Sequence, residues 1–398
     1  MKSGALHNPD DCTACAICTM HCPVAAATLK FRGPKLTGPA YERFRLSGFE
    51  DDASLEYCSN CKNCEIACPS GVPIADFNML ARAEYSTGHG HAARDMLTGH
   101  SGDLGKLSSP LPAFLLNAGM KNRLTRSLLD RAGIDKRAPL PAFAPLSERR
   151  RLRKKNRGLK PDLALFPGCF ARYYDPNAAL DIICLLETAG YTVDVPDEFV
   201  CCGLPLLTGG LYEAARKRAR INSKILARLA ENNIPVVSPC PSCALMLRHE
   251  YGKLFSSDAR VNSYPASEAG DFILGLIAQG RLSLKNARAP RDLLAYHAPC
   301  HLRALGVGLP ALEILKRIPG LQVENMDAGC CGISGSYGFK KGKYEVAMRI
   351  GQNLFRSLKD SGAKIGLSEC GTCRVQMTHG SGLPAAHPLS ILRASLAK

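Results

Sequence analysis

Residues 58–69 read CSNCKNCEIACP, with Cys58, Cys61, Cys64 and Cys68 followed by Pro69. The same spacing occurs upstream as Cys12, Cys15, Cys18, Cys22 and Pro23. C-x2-C-x2-C-x3-C-P is the run that holds cubane [4Fe–4S] clusters: three thiolates on short loops reach three irons of one cube, and the fourth cysteine crosses to the other cube. The expected ligand sets are Cys12, Cys15, Cys18 and Cys68 for one cluster and Cys58, Cys61, Cys64 and Cys22 for a second. Paired structural zinc sites also use C-x2-C, but they need two such pairs and not the continued run with its proline.

The rest of the composition fits that reading. The chain has 398 residues, 46% of them apolar, and 19 cysteines. Disulfide scaffolds rich in cysteine are short and exported, whereas MKSGALHNPDD at the start has no apolar stretch of the kind an export signal carries. Cysteines in ligand spacings and no export signal point to a reducing cytoplasm and to metal. No apolar run approaches the roughly 18 residues of a membrane span; Phe272 to Ala278 is a short one. The net charge of +16 favours anionic partners: nucleic acid, an anionic membrane surface or acidic proteins. There is no Trp, and the aromatics do not interleave with the basic residues, so stacking on nucleic-acid bases is not expected.

In chain order, residues 1–95 form an α-helical di-cluster domain, with a Gly/Pro-punctuated loop (Gly33, Pro34, Gly38, Pro39) between the runs and a helix from Ile74 to Glu84. Residues 96–160 form a basic amphipathic connecting segment free of cysteine. An apolar stripe there (Leu111, Phe114, Leu115, Leu116, Met120, Leu124, Leu128, Leu129) is interleaved with Lys121, Arg123, Arg126 and Arg131, and RRRLRKKNRGLK follows from Arg149 to Lys160. That pattern suits an anionic membrane surface; a linker whose helices pack on the protein itself explains it equally well.

From residue 161 the chain repeats itself. One copy reads C-x31-CCG-x36-C-x2-C through Cys169, Cys201, Cys202, Cys240 and Cys243. The other reads C-x29-CCG-x37-C-x2-C through Cys300, Cys330, Cys331, Cys370 and Cys373. Spacing this similar means duplicated domains, 161–290 and 291–398. Each cysteine set follows an expected strand (162–166, 191–195 and 234–237; then 293–296, 323–326 and 364–367), with helices at 178–189, 212–230, 309–317 and 344–359 between them. Strand–helix alternation implies parallel sheets, and ligands in such sheets lie at the carboxyl ends of the strands. The fold class is therefore α+β and multi-domain. Gly203 and Gly332 let the chain turn tightly behind each cysteine pair. Cys243 and Cys373 enter helices, where the dipole favours thiolate.

The CCG repeats resemble the cysteine-rich domain of heterodisulfide reductases and related iron–sulfur subunits. Two ferredoxin runs followed by two CCG domains resemble, within that family, the C subunits of anaerobic glycerol-3-phosphate dehydrogenases. GPKLTGPAYERFRL (Gly33 to Leu46), HAPCH (His297 to His301) and CCGISGSYGFKK (Cys330 to Lys341) carry the same likeness. The resemblance implies an iron–sulfur electron-transfer subunit of an oxidoreductase used in anaerobic respiration. An FAD-containing partner would oxidise glycerol 3-phosphate, and electrons would pass through two cubanes and the CCG centres to menaquinone. The chain would be peripheral on the cytoplasmic face of the inner membrane. The resemblance further implies a non-cubane [4Fe–4S] cluster on each set of five CCG cysteines, with zinc as the alternative in one. Complexes of the heterodisulfide-reductase type, or ones that oxidise lactate or glycolate, are the alternative setting.

Among the other residues, His297 and His301 flank Cys300, and Tyr337 and Lys340 follow Cys331. These four are the candidates for proton transfer to a quinone or for tuning a cluster, set against a role in packing alone. His387 is a weaker candidate, and Cys184 in DIICLLETAG reads as a core residue. No G-x-G-x-x-G occurs, so neither flavin nor nicotinamide is expected on this chain.

Overall fold

The computed structural model describes residues 8–47, 52–108, 110–155 and 160–396. The start of the chain read for an export signal (residues 1–7) and residues 156–159 of the basic run lie outside these.

The N-terminal part is held by short helices, Ile17–Met20, Pro23–Ala27 and Asn63–Ile66, leaning on the longer Ile74–His89. Its loops repeat one distortion. Ala14 and Ala16 flank Cys15 with φ of 59° and 66°, and Asn60 and Lys62 flank Cys61 with φ of 52° and 63°. Left-handed backbone costs a residue with a Cβ roughly 1–2 kcal/mol. Four such residues, placed alike about the second cysteine of each run, turn both loops around a centre. The stretch from Gly33 to Pro39, expected as a loop, is instead partly helical. Leu36–Ala40 forms a wide turn, broken at Gly38 (φ −87°, ψ −111°), that continues into Tyr41–Leu46. Thr37 secures it, its hydroxyl bonding Gly33 O at 3.0 Å and Asn78 Oδ1 at 2.8 Å.

Each repeat is a four-stranded parallel sheet. In the first, β1 (Leu163–Leu165), β2 (Val193–Asp194), β3 (Val236–Ser238) and β4 (Ser267–Glu268) lie in the order β2-β1-β3-β4. In the second, β5 (Leu294–Tyr296), β6 (Val323–Asn325), β7 (Ile365–Leu367) and β8 (Ala385–Ala386) lie in the order β6-β5-β7-β8. The central strands are almost wholly buried because helices cover both faces; Leu163, Ala164 and Leu165 are fully buried.

The two modules share one core, in which Leu163, Leu165, Ile182 and Ile273 pack in a single cluster with Leu294, Leu312 and Leu392. The packing is reciprocal. Helix Ala269–Ala278 of the first module lies on Pro310–Lys316 of the second, and Pro388–Leu396 of the second lies on Pro176–Thr188 of the first. Cys184 sits half-buried in that contact and accepts from Arg393 Nε at 2.9 Å, rather than lying in the deep core. The connecting segment packs on both modules: Asp135 N bonds Phe339 O at 2.9 Å, Ala144 N bonds Tyr173 O at 3.0 Å, and Arg137 pairs with Glu345 at 2.6 Å.

Candidate metal centres

The two ferredoxin runs interleave. Cys12, Cys15, Cys18 and Cys68 line one small cavity with Pro69. Cys22 and Cys58 pack together in another cluster, and Cys58, Cys61, Cys64 and Cys22 lie close enough to raise one another's pKa. Burial pushes the Cys58 thiol up to about 11. A metal bound among them would supply the positive charge that such buried thiols need in order to ionise.

In each CCG module the three sets of cysteines follow the first three strands and meet at their carboxyl ends. The glycine after each pair is required there: Gly203 and Gly332 have φ of 91° and 85°, and a Cβ on Gly332 would stand 2.0 Å from Ala347 O. The five thiols form a chain of sulfur contacts, Cys169–Cys201–Cys202–Cys243–Cys240 in one module and Cys300–Cys330–Cys331–Cys373–Cys370 in the other. Cys331 Sγ stands 3.1 Å from Cys373 Sγ.

The helix-dipole expectation is corrected. Cys240 and Cys370, at the caps of helices Pro241–Leu245 and Gly371–Ser381, have lowered pKa values, Cys370 to about 6, because each accepts from the cysteine three residues on. Cys243 and Cys373 are raised, first by their contacts with Cys202 and Cys331 and then by those with Cys240 and Cys370.

The remaining candidates separate in space. His297 is buried against the second-module thiols, its ring nitrogen, Cys331 Sγ and Cys373 Sγ all lying within 4.8 Å of one another, and burial pushes its pKa down to about 4. His301 has both ring nitrogens engaged, to Ser242 Oγ at 2.8 Å and Asn60 O at 2.8 Å, so it ties the second ferredoxin run to both modules. Tyr337 is buried with Cys22 and Cys58, on the ferredoxin side of Cys331. Lys340 is buried against Asp95 at 2.6 Å; burial and Arg82 bring its pKa down to about 8 against the pull of Asp95. His387 Nε2 donates to Pro239 O at 3.1 Å while Nδ1 accepts from Leu389 N at 3.2 Å, which makes it a neutral connector between modules.

Sequence reasoning missed Lys62. It is 2% exposed, between Cys61 and Cys64, and pairs with Asp76, with Glu65 at 3.3 Å and with Glu250 at 3.1 Å. Burial holds Glu250 up at about 7 despite Lys62. A lysine inside a cysteine run was the available signal, but its partners are distant in sequence.

The four thiol groups adjoin one another, and Cys22 and Cys58 share a core with Cys202 and Cys243 of the first module. Cys18 and Cys64 share a small core with Cys12 and Cys68, which joins the first group to the second. Cys22 and Cys61 both feel the charge of Cys330, and Ser334 Oγ donates to Ser59 O at 2.6 Å, which joins the second group to the second module. Cys240 feels Cys370 across the shared interface, which joins the two modules.

Two family models match the chain: a 4Fe-4S dicluster domain over residues 8–72, and a cysteine-rich (CCG) domain over 163–248 and again over 294–378. Over 396 residues the chain is 36% identical to the C subunit of the anaerobic glycerol-3-phosphate dehydrogenase of Escherichia coli K12, covering 98% of each chain. This chain belongs to the family of anaerobic glycerol-3-phosphate dehydrogenase C subunits. That family has more distant relations. The B subunit of the fumarate reductase (CoM/CoB) of Methanothermobacter marburgensis is 25% identical over 92% of this chain and 67% of its own length. Lactate utilization protein A 2 of Bacillus cereus is 25% identical over 47% of this chain and 77% of its own. The resemblance, the fold class and the electron-transfer role that the resemblance implied are borne out, and the chain is an iron–sulfur subunit with 4Fe-4S and CCG domains. Among the described residues no helix is long and apolar enough to cross a membrane.

Proposed function

We propose that this chain takes electrons from an FAD-bearing subunit that oxidises glycerol 3-phosphate and delivers them to menaquinone at the cytoplasmic face of the membrane. The observation that carries this reading is the set of four adjoining thiol groups. Clusters bound there would supply one-electron redox chemistry. In this reading Cys12, Cys15, Cys18 and Cys68 hold one cubane, and Cys58, Cys61, Cys64 and Cys22 hold the other. Each CCG set holds a non-cubane cluster; five thiols per module favour this over zinc, which takes four ligands and would leave one cysteine idle.

The chain's own residues set the environment. The left-handed residues beside Cys15 and Cys61 shape the two ferredoxin loops, Lys62 places a buried positive charge beside the second group, and neutral His297 presents a hydrogen-bonding ring to the second-module thiols. Affinity purification of the native complex tests the reading. It should recover a flavoprotein, and the complex should reduce a menaquinone analogue with glycerol 3-phosphate. Recovery of a flavoprotein that oxidises only another donor would overturn the substrate assignment.

A further inference from the structure

The two modules repeat the same positions, so a difference between them at a thiol site stands out. Phe166 and His297 are equivalent. Each is the first residue past its module's central strand and stands three residues before the first cysteine. Each donates its backbone N–H across the sheet, Phe166 to Val237 O at 2.8 Å and His297 to Leu367 O at 2.8 Å. Each is buried. The place they share is the carboxyl end of a strand flanked by the two strands that deliver the CCG pair and the C-x2-C pair. In the first module that place holds a phenyl ring, which shares a core with Cys202, Cys243 and Phe199 and can bind no metal. In the second it holds an imidazole.

The imidazole is placed to do more than pack. One ring nitrogen, Cys331 Sγ and Cys373 Sγ all lie within 4.8 Å of one another, and no other three His, Cys, Asp or Glu side chains among the described residues bring their ligand atoms together so closely. Donors at that spacing can meet at one metal ion, since bonds from nitrogen and sulfur to a first-row metal such as zinc run ~2.0 and ~2.3 Å. The other two buried histidines are committed elsewhere, His301 to Ser242 Oγ and Asn60 O, His387 to Pro239 O and Leu389 N.

We infer that His297 is a metal ligand of the second CCG centre, a nitrogen at one iron position that the first module leaves to sulfur. The other ring nitrogen stays a hydrogen-bond donor. The inference rests on the reading that this centre holds an iron–sulfur cluster, and it makes the two centres unequal although their cysteines match. Imidazole in place of thiolate raises the potential of an iron–sulfur centre, because the neutral ligand leaves less negative charge for the added electron to face. His297 therefore makes the second centre easier to reduce than its thiols alone would.

The test uses the full-length chain purified anaerobically with its clusters, from cells fed unlabelled or 15N-labelled histidine. Pulsed EPR across a redox titration should show one strongly coupled nitrogen that changes with the label. His297→Phe installs the residue that the first module carries beside the same cysteine pattern. That variant should keep its iron and lose the coupling. One centre should be reduced tenfold less at a fixed potential, a fall of 59 mV for one electron. His301→Gln and His387→Gln should keep the coupling, which assigns the nitrogen by exclusion should His297→Phe fail to fold. Only weakly coupled histidine nitrogen in the wild type, the mark of a hydrogen bond to sulfur, would overturn the inference, as would a strong coupling that survives in His297→Phe. A chain with about eight iron, four per cubane, would overturn the cluster reading instead. The metal then found in the second module is read at its own X-ray absorption edge. A nitrogen neighbour that His297→Phe removes would keep the ligand, and an all-sulfur shell would overturn it too.

Discussion

Gly332 shows how one residue can govern a centre. Its φ of +85° and the 2.0 Å that would separate a Cβ from Ala347 O leave no room for alanine. Gly332→Ala should cost ~3 kcal/mol or more, about half from left-handed backbone and the rest from the displaced helix. Gly342, at φ +79° with nothing within 4 Å of a Cβ, provides the control. Gly342→Ala should cost only the backbone part, roughly 1 kcal/mol. Chemical denaturation of the two variants checks this, and equal losses would refute the packing argument.

His387 makes a pH prediction at the same scale. Burial, helped by Arg374, lowers its pKa from 6.5 to about 3. The folded state therefore binds fewer protons than the unfolded one between those values. Its contribution is complete above pH 6.5 and is lost as pH falls toward 3, by up to ~1.4 kcal/mol per pH unit. His387→Gln should be less stable at pH 7 and show a flatter decline between pH 6 and pH 5. An unchanged slope in urea titrations would contradict the assignment.

At the scale of elements, the helices and strands that carry cysteines were legible in the sequence because each is a short apolar run ending at a ligand. The long helix expected over 212–230 is found as Tyr212–Glu231, and the strand expected over 293–296 as Leu294–Tyr296. The fourth strand of each sheet was not legible: β4 and β8 are two residues long and carry no alternation to detect. The turn at Leu36–Ala40 was hidden by its glycine and proline, whose helical form depends on the distant Asn78. The basic run left two readings open for a related reason. Helix Leu146–Arg153 buries Arg149 and Leu152, and nothing local distinguishes a buried arginine from its solvated neighbours.

Helices Ala113–Lys121 and Arg123–Arg131 leave Phe114, Leu124 and Leu128 70%, 70% and 55% exposed beside a border of Lys121, Arg123 and Arg126. An apolar face with a cationic margin matches an anionic lipid surface. Phe114→Ser with Leu124→Ser should reduce co-sedimentation with vesicles containing phosphatidylglycerol about tenfold and leave thermal stability unchanged. If the double variant binds vesicles normally but no longer holds the flavoprotein, the face belongs to the protein partner.

At the scale of the whole molecule, duplication explains the architecture. Two modules with the same strand order exchange helix contacts, so their thiol sites come to lie near one interface, and His301 and Ser334 fasten the second ferredoxin run to that pair. The cysteine spacings made the four groups legible. Their order in space was not, because it is set by contacts between residues as far apart as Asn60 and His301.

The claim on which this account depends is that all four groups bind iron–sulfur clusters. Iron, acid-labile sulfide and zinc measured on the anaerobically purified full-length chain test it most directly. The account predicts about 16 iron and 16 sulfide per chain, four of each per cluster, and no stoichiometric zinc. About eight iron with one or two zinc ions would leave the CCG modules without clusters and would contradict it.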